Sequence, residues 1–390
     1  MIIREYSMRD VKFFSKTTAL RLAGAALLFP MLAGQAIEAP KPAAAPEPQS
    51  AEPPPKVEVT PTDETTFYER LQFVTQRRNL VGLKLNDDVH HSLARGSVDT
   101  VVNSLNSQAM EGDRDSNIAL IRIQHWCNRM VSGKPPDMDV QLARFAPMVP
   151  DTRLPRIAGV MAAEKPYQER AKQSCMAASF KYRSIETRLR DAAAAGDPAS
   201  ATELAQFVRD FRQRESLLQQ AVEKDFAPAM YSLATSRLIA VQRGETTEDV
   251  ASIRLLFKQA GRTLPKAKVD FANCVAVGCD GHPANTATAA AFGLDAARDG
   301  EPTAFLSMVR MPWGRQVPRV KLLAWQYYGD RLNEAGCTGD GYIANAVSFA
   351  QSISALEKDQ DPKLLEEAKS QADNLWNQHS ARAMSEQGCG

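Results

Sequence analysis

A small apolar residue, a glycine or polar residue three positions on, a second small residue four further, and a large apolar residue four further again: this spacing occurs five times. The copies are Ala109-Gly112-Ser116-Leu120, Ala193-Gly196-Ser200-Leu204, Val222-Asp225-Ala229-Leu233, Ala260-Thr263-Ala267-Phe271 and Ala297-Gly300-Ala304-Met308. A local pattern recurring at tens of residues belongs to stacked helix pairs, because each unit buries its apolar face only against the next. The first small residue is expected near the end of one helix and the second in the first turns of the following one. Side chains this small let two helix backbones approach closely. The large residue lies one turn on, on the same face. Leu204, Leu233, Phe271 and Met308 are therefore expected in the seams between pairs. The centres 225, 263 and 300 lie 38 and 37 residues apart (263 − 225; 300 − 263), which is a regular period. The copies at Ala109 and Ala193 stand apart from it, and the interval from 112 to 196 must hold a degenerate pair or an insertion.

Beyond residue 64 the chain reads as helical, with no convincing alternating strand. Helical stretches are expected over residues 67–83, 116–130 and 168–195, the last as one long helix closed by Gly196. Pro198 and Pro302 sit near helix starts, where a missing N–H costs little. After residue 319 a helix carries apolar residues on two faces, with Val320, Leu323 and Tyr327 on one and Leu322 and Trp325 on the other. That is expected of a helix with neighbours on both sides. The fold class is all-α, a solenoid of α/α hairpins.

The segments AVEKDFAPAMYSLA (221–234) and DAARDGEPTAFLSM (295–308) resemble the Sel-one-like repeat, a relative of the tetratricopeptide repeat. The best matching repeats span residues 215–312. The Leu-Gly-x-x-Tyr block and second glycine usual in that family are mostly missing here. The resemblance implies a right-handed superhelix with a concave groove, used as an adaptor. Some exported members carry a disulfide in each repeat, but the cysteine spacing here does not follow them.

The ends suggest a compartment. Arg4, Arg9, Lys12, Lys16 and Arg21 precede an apolar run over residues 22–32, and Gly34 and Ala36 suit a cleavage after residue 36. That run is about a dozen residues, where a membrane-spanning helix needs roughly 20. Residues 1–36 are therefore expected to be an export signal, and the protein periplasmic or secreted. An uncleaved inner-membrane anchor is the alternative. Residues 37–63, rich in Pro and Ala, read as a disordered tether, and residues 64–390 as the helical repeat domain. Without residues 1–36 the chain carries 42 basic and 44 acidic side chains (47 − 5 and 46 − 2), a balance that does not attract nucleic acid. After the signal no segment is long and apolar enough to cross a membrane.

Cys127, Cys175, Cys274, Cys279, Cys337 and Cys389 make an even count, which in an exported chain reads as disulfides. Six thiols allow 15 pairings. Neighbour contacts in a stack favour Cys127–Cys175, Cys274–Cys279 and Cys337–Cys389.

Catalytic signatures are missing. No Gly-x-Ser-x-Gly elbow, His-Glu-x-x-His helix or phosphate-binding glycine loop occurs. Cys274, Cys279, Asp280 and His282 cluster like metal ligands, yet the spacing is not that of a zinc finger, and a local disulfide is the better reading. Asp87, Asp88, His90 and His91 include adjacent histidines, which point apart on a helix, so Asp88 reads as a cap. Residues 113–117 imitate a calcium loop, but Ile118 and Gln124 stand where it needs Gly and Glu, so this is a turn. No metal and no cofactor is expected. Arg310, Trp313 and Arg315 form the candidate partner-binding loop, since Trp and Arg are enriched in interface hot spots; the competing reading packs Trp313 on the next hairpin. The expected role is a scaffold binding partner proteins or cell-envelope components, without catalysis. A periplasmic hydrolase of envelope polymer on a helical scaffold is the alternative.

Overall fold

The computed structural model describes residues 87–133, 138–150, 154–245, 250–278, 283–337 and 342–387. The expected export signal, tether and first helical stretch lie outside these residues. The described residues form α-helices and two short 3-10 helices, without strands. In chain order the α-helices are α1 (Asp87–Ala94), α2 (Val98–Met110), α3 (Arg114–Ser132), α4 (Met138–Phe145), α5 (Leu154–Ala177), α6 (Tyr182–Ala194), α7 (Pro198–Phe207) and α8 (Phe211–Val222). They continue with α9 (Ala227–Gln242), α10 (Val250–Ala260), α11 (Pro265–Val277), α12 (Thr286–Arg298), α13 (Pro302–Arg310), α14 (Arg319–Glu334), α15 (Tyr342–Glu357) and α16 (Pro362–Gln387).

The recurring spacing builds one kind of turn. Gly112, Gly196, Asp225 and Gly300 all have positive φ. At each, that residue donates its N–H to the carbonyl three residues back, and the next residue donates to the carbonyl five back. Gly196 thus bonds Ala193 and Asp197 bonds Ala192, while Asp225 bonds Val222 and Phe226 bonds Ala221. This left-handed closure satisfies carbonyls that a helix end otherwise leaves open. The copies at Ala109 and Ala193, out of period in the sequence, are therefore genuine turns of the same geometry. In both, an aspartate then starts the next helix: Asp113 accepts from the Ser116 N–H and Asp197 from the Ser200 N–H, each at 2.8 Å. The copy at Thr263 differs. Thr263 and Leu264 both donate to the Ala260 carbonyl, and no positive φ is used. Its Ala267 and Phe271 are nevertheless buried like their counterparts.

Each such turn links the second helix of one hairpin to the first helix of the next. The hairpins α7/α8, α9/α10 and α11/α12 pack most extensively within themselves. The first helices α3, α7, α9, α11 and α13 follow one another as a row, and α6, α8, α10 and α12 cover its outer side. Leu204, Leu233, Phe271 and Met308 are buried in the seams, as the spacing predicts.

One expectation changes and another is narrowed. The stretch 168–195 is not one helix: α5 ends at Ala177 and α6 begins at Tyr182. The Asn106 side chain on α2 donates to the Ser179 carbonyl, and Phe180 packs into the apolar cluster around α2 and α3. Tertiary contacts thus claim the backbone that good helix formers would have continued. The interval from 112 to 196 is filled by an insertion rather than by a degenerate pair alone. It carries α4 and the 24-residue α5, which lies back over α2 and α3.

At the other end, α14 is sandwiched between α15 and α16. This explains its two apolar faces, with Leu323, Trp325 and Tyr328 buried. The long α16 reaches back to the turn between α12 and α13. There Arg382 lies 2.6 Å from Asp299, Gln387 donates to the Asp299 carbonyl, and Ala383 lies against Gly300.

The row of first helices closes on itself. Val149, Ile157 and Met161 pack with Ala346, Val347 and Ala350, joining α5 to α15. Because α15 also packs on α13, α5 on α3, and Tyr231 of α9 bonds Asp270 of α11, the described helices form a circuit α3–α7–α9–α11–α13–α15–α5.

Candidate partner-binding face

The outer side of each first helix is covered by second helices and its flanks by neighbours in the row. What remains is an inner face. On α11 the residues Lys266, Asp270 and Asn273 share that face at helical spacing, and on α13 Thr303, Ser307 and Arg310 do. Lys268 points the other way on α11, into Asp295 (2.6 Å) and Asp299 (2.8 Å) at the outer side.

The inner face is polar and knitted across seams. Tyr231 of α9 donates to Asp270 of α11 at 2.9 Å, and Lys266 donates to Asp270 at 3.1 Å and to Thr303 of α13 at 3.4 Å. Thr303 in turn donates to Glu301 at 2.6 Å. Asn273 donates to Ser307 of α13 at 3.1 Å. The Lys266 and Asp270 side chains keep 36% and 29% of their surface open to solvent, so the network is only partly covered. Burial pushes the Lys266 ammonium down, yet Asp270, Tyr231 and Glu301 outweigh it and hold its pKa above the ordinary lysine value. Burial first, and then Asp270, push the Tyr231 hydroxyl up. The patch thus offers a fixed cation and a neutral phenol at neutral pH, beside the side chains of Asp270 and Glu301.

The same register carries a very different pair at the start of the row. Arg122 stands six positions after Ser116 and Glu203 three after Ser200; Asn273 and Ser307 stand at the same offsets from Ala267 and Ala304. Arg122 and Glu203 form a two-pronged ion pair at 2.9 and 2.6 Å, with side-chain exposures of only 9% and 1%. His125, one turn on, stacks on Phe207 with ring centroids 4.0 Å apart. At the Arg122–Glu203 pair the seam is closed to solvent; further along the row, at Lys266 and Asp270, it is partly open. Sequence reasoning passed over this register because its residue types change from repeat to repeat. The constant offset from the motif was the available signal.

Of the loop residues singled out in the sequence, Trp313 is not on the surface. Its ring is fully buried against Gly293, and its Nε1 donates to Asn273 Oδ1 at 2.9 Å. The indole is a packing element that holds the inner-face Asn273 in place, so its ring is not offered to a partner. Arg310 and Arg315 are exposed.

Cys127 and Cys175 are disulfide-bonded, joining α3 to α5 as the neighbour argument favours. Cys274 and Cys337 each take part in a separate disulfide, so Cys274 is not a thiolate ligand for a metal. Cys279, Asp280, His282 and Cys389 lie outside the described residues, as do the side chains of Asp87, His90 and His91. Asp113 caps α3, in keeping with the turn reading of residues 113–117. Among the described residues no group of three potential ligands is placed to hold a metal, and no helix is long and apolar enough to cross a membrane.

One recess lies between α14, α15 and α16, lined by Val320, Leu323, Leu356, Leu364 and Leu365 with Arg319 and Gln360 at its edge. Arg319 donates to the carbonyls of Ala355, Leu356 and Lys358, closing the end of α15. The recess gathers neither a carboxylate pair nor a histidine beside a serine or cysteine.

No protein-family profile matches the chain. No curated protein matches it either. Among solved structures it is similar to a protective antigen present in uropathogenic Escherichia coli strains that displays an SLR fold. The two are 16% identical with a TM-score of 0.43, and the match covers 80% of this chain and 61% of that one. The chain therefore spans less than two thirds of that protein's length. The fold assignment rests on the hairpins and turns described above.

Proposed function

We propose that this protein is an exported scaffold of the Sel-one-like repeat type, which binds a partner protein or a cell-envelope component along the inner face of its first-helix row. The observation that carries this reading is the polar register on α9, α11 and α13: Tyr231, Asp270, Lys266, Asn273 and Ser307 are positioned by one another yet remain partly open. Prepositioned hydrogen-bonding groups reduce the ordering cost of association. Arg310, at the end of the same face, and Arg315 beyond it are the exposed cations suited to steer and contact an acidic segment of the partner. Export is supported by the basic, then apolar, start of the sequence and by the Cys127–Cys175 bond, since such bonds persist in oxidising compartments.

The test is site-specific photo-cross-linking in the envelope. A photoreactive residue at Ser307 or Arg310 should give one discrete adduct, and the same residue at exposed Gln220 on outer helix α8 should not. Equal adducts at both positions, or none at either together with turnover of an envelope polymer, would overturn the scaffold reading.

A further inference from the structure

The circuit of helices is held differently at each seam. The buried Arg122–Glu203 pair joins α3 to α7, the Tyr231–Asp270 bond joins α9 to α11, and the Asn273–Ser307 and Lys266–Thr303 bonds join α11 to α13. The Phe305 and Phe349 rings, 5.9 Å apart, join α13 to α15, and a disulfide joins α5 to α3. Between α5 and α15 lies a small apolar patch in which α15 contributes Ala346, Val347 and Ala350.

Pro166 falls inside α5. It has no N–H to give the carbonyl of residue 162, and its ring crowds that carbonyl, so a helix bends most readily at such a point. The position is informative because it separates two attachments. Ile157 and Met161, before the proline, face α15. After it, Tyr167 bonds the Leu93 carbonyl, Ser174 bonds Asp99, and Cys175 is covalently tied to Cys127. Ala171 also lies against Gly96 at the turn between α1 and α2.

We propose that α5 is a hinged strap. The half after Pro166 stays fixed on α2 and α3, while the half before it leaves α15, loses its helical hydrogen bonds as its packing is lost, and opens the circuit to admit the partner to the inner face. The admission of a partner rests on the scaffold reading above; the hinge does not.

Native-state hydrogen exchange on the full chain with its disulfides intact tests the hinge with no partner present. Amides 158–165 should show protection at least about tenfold below that of amides 170–177 and of α11, because sub-global openings release one element while the rest holds. Pro166→Ala restores a helical N–H and should raise protection over 158–165 at least about threefold. Met161→Lys places a charge in the apolar seam and should lower it at least about tenfold further, with α11 unchanged. Equal protection of both halves in the unmodified protein overturns the proposal. So does an unchanged 158–165 in Pro166→Ala, or a parallel loss in α11 in Met161→Lys. If Met161→Lys does not fold, the first two measurements decide. An exchange contrast without any adduct at Ser307 leaves the hinge standing and removes the partner; an adduct without the contrast does the reverse.

Discussion

Glu203 and Arg122 show how one register position takes on different duties along the row. A buried ion pair gains little over apolar packing, but breaking it strands an uncompensated charge. Arg122 Nη1 already lacks a partner among the described residues, so the guanidinium depends on Glu203. Glu203→Ala should therefore cost about 3–5 kcal/mol in denaturant unfolding. Asp270→Ala, on the open part of the same face, should cost roughly 1 kcal/mol, because water can replace the lost partner. Similar costs at the two sites would contradict the contrast between closed and open seams.

His125 adds a pH dependence. Burial holds its imidazole below the ordinary range, Arg129 adds to this, and Glu203 opposes it. Burial, Arg298 and Arg382 lower His379 in the same direction. The unfolded chain then binds these protons more readily than the folded one, so stability falls as pH drops below about 6.5. The thermal midpoint should decline from about pH 7.5 to about pH 5. His125→Phe, which keeps a ring against Phe207, should shrink that decline. An identical decline in the variant would show that His125 does not contribute.

Turns decide the order of the helices. Gly196 closes α6 at a φ of +92° with open space around it, so the cost of a side chain there is conformational. Gly196→Ala should destabilise by about 1–2 kcal/mol. Asp225 already pays that strain at a φ of +56°, and Asp225→Gly should be neutral or stabilising by a few tenths of a kcal/mol. Opposite signs in chemical denaturation would confirm that the two positions share one turn. The spacing was legible in the sequence because small residues at fixed offsets leave a trace. The break between α5 and α6 was not legible. Ala, Lys, Gln and Arg around it favour helix locally, and the opposing contact comes from Asn106, some seventy residues away.

Among the described residues the circuit of helices is held closed by contacts remote in sequence. The Cys127–Cys175 bond spans 48 residues and enclosing such a loop is worth roughly 4 kcal/mol by chain entropy. Cys127→Ala/Cys175→Ala should lower the unfolding free energy by about 2–5 kcal/mol. Hydrogen exchange should then rise first in α5, which loses its covalent anchor. Uniform exchange across the chain would instead mean that the bond stabilises the stack as one unit.

By itself the sequence determined the all-α hairpin architecture, the turns that carry the recurring spacing and the seam residues, and it favoured the Cys127–Cys175 pairing without fixing it. These depend on local periodicity and on steric rules that act within a few residues. Only the tertiary structure decided that Trp313 is interior, that Arg122 finds Glu203, and that α5 lies back over α3 to meet α15. Those outcomes depend on which surfaces meet after the helices have formed, and a repeat pattern encodes the contact to the next unit but not the closure of the whole.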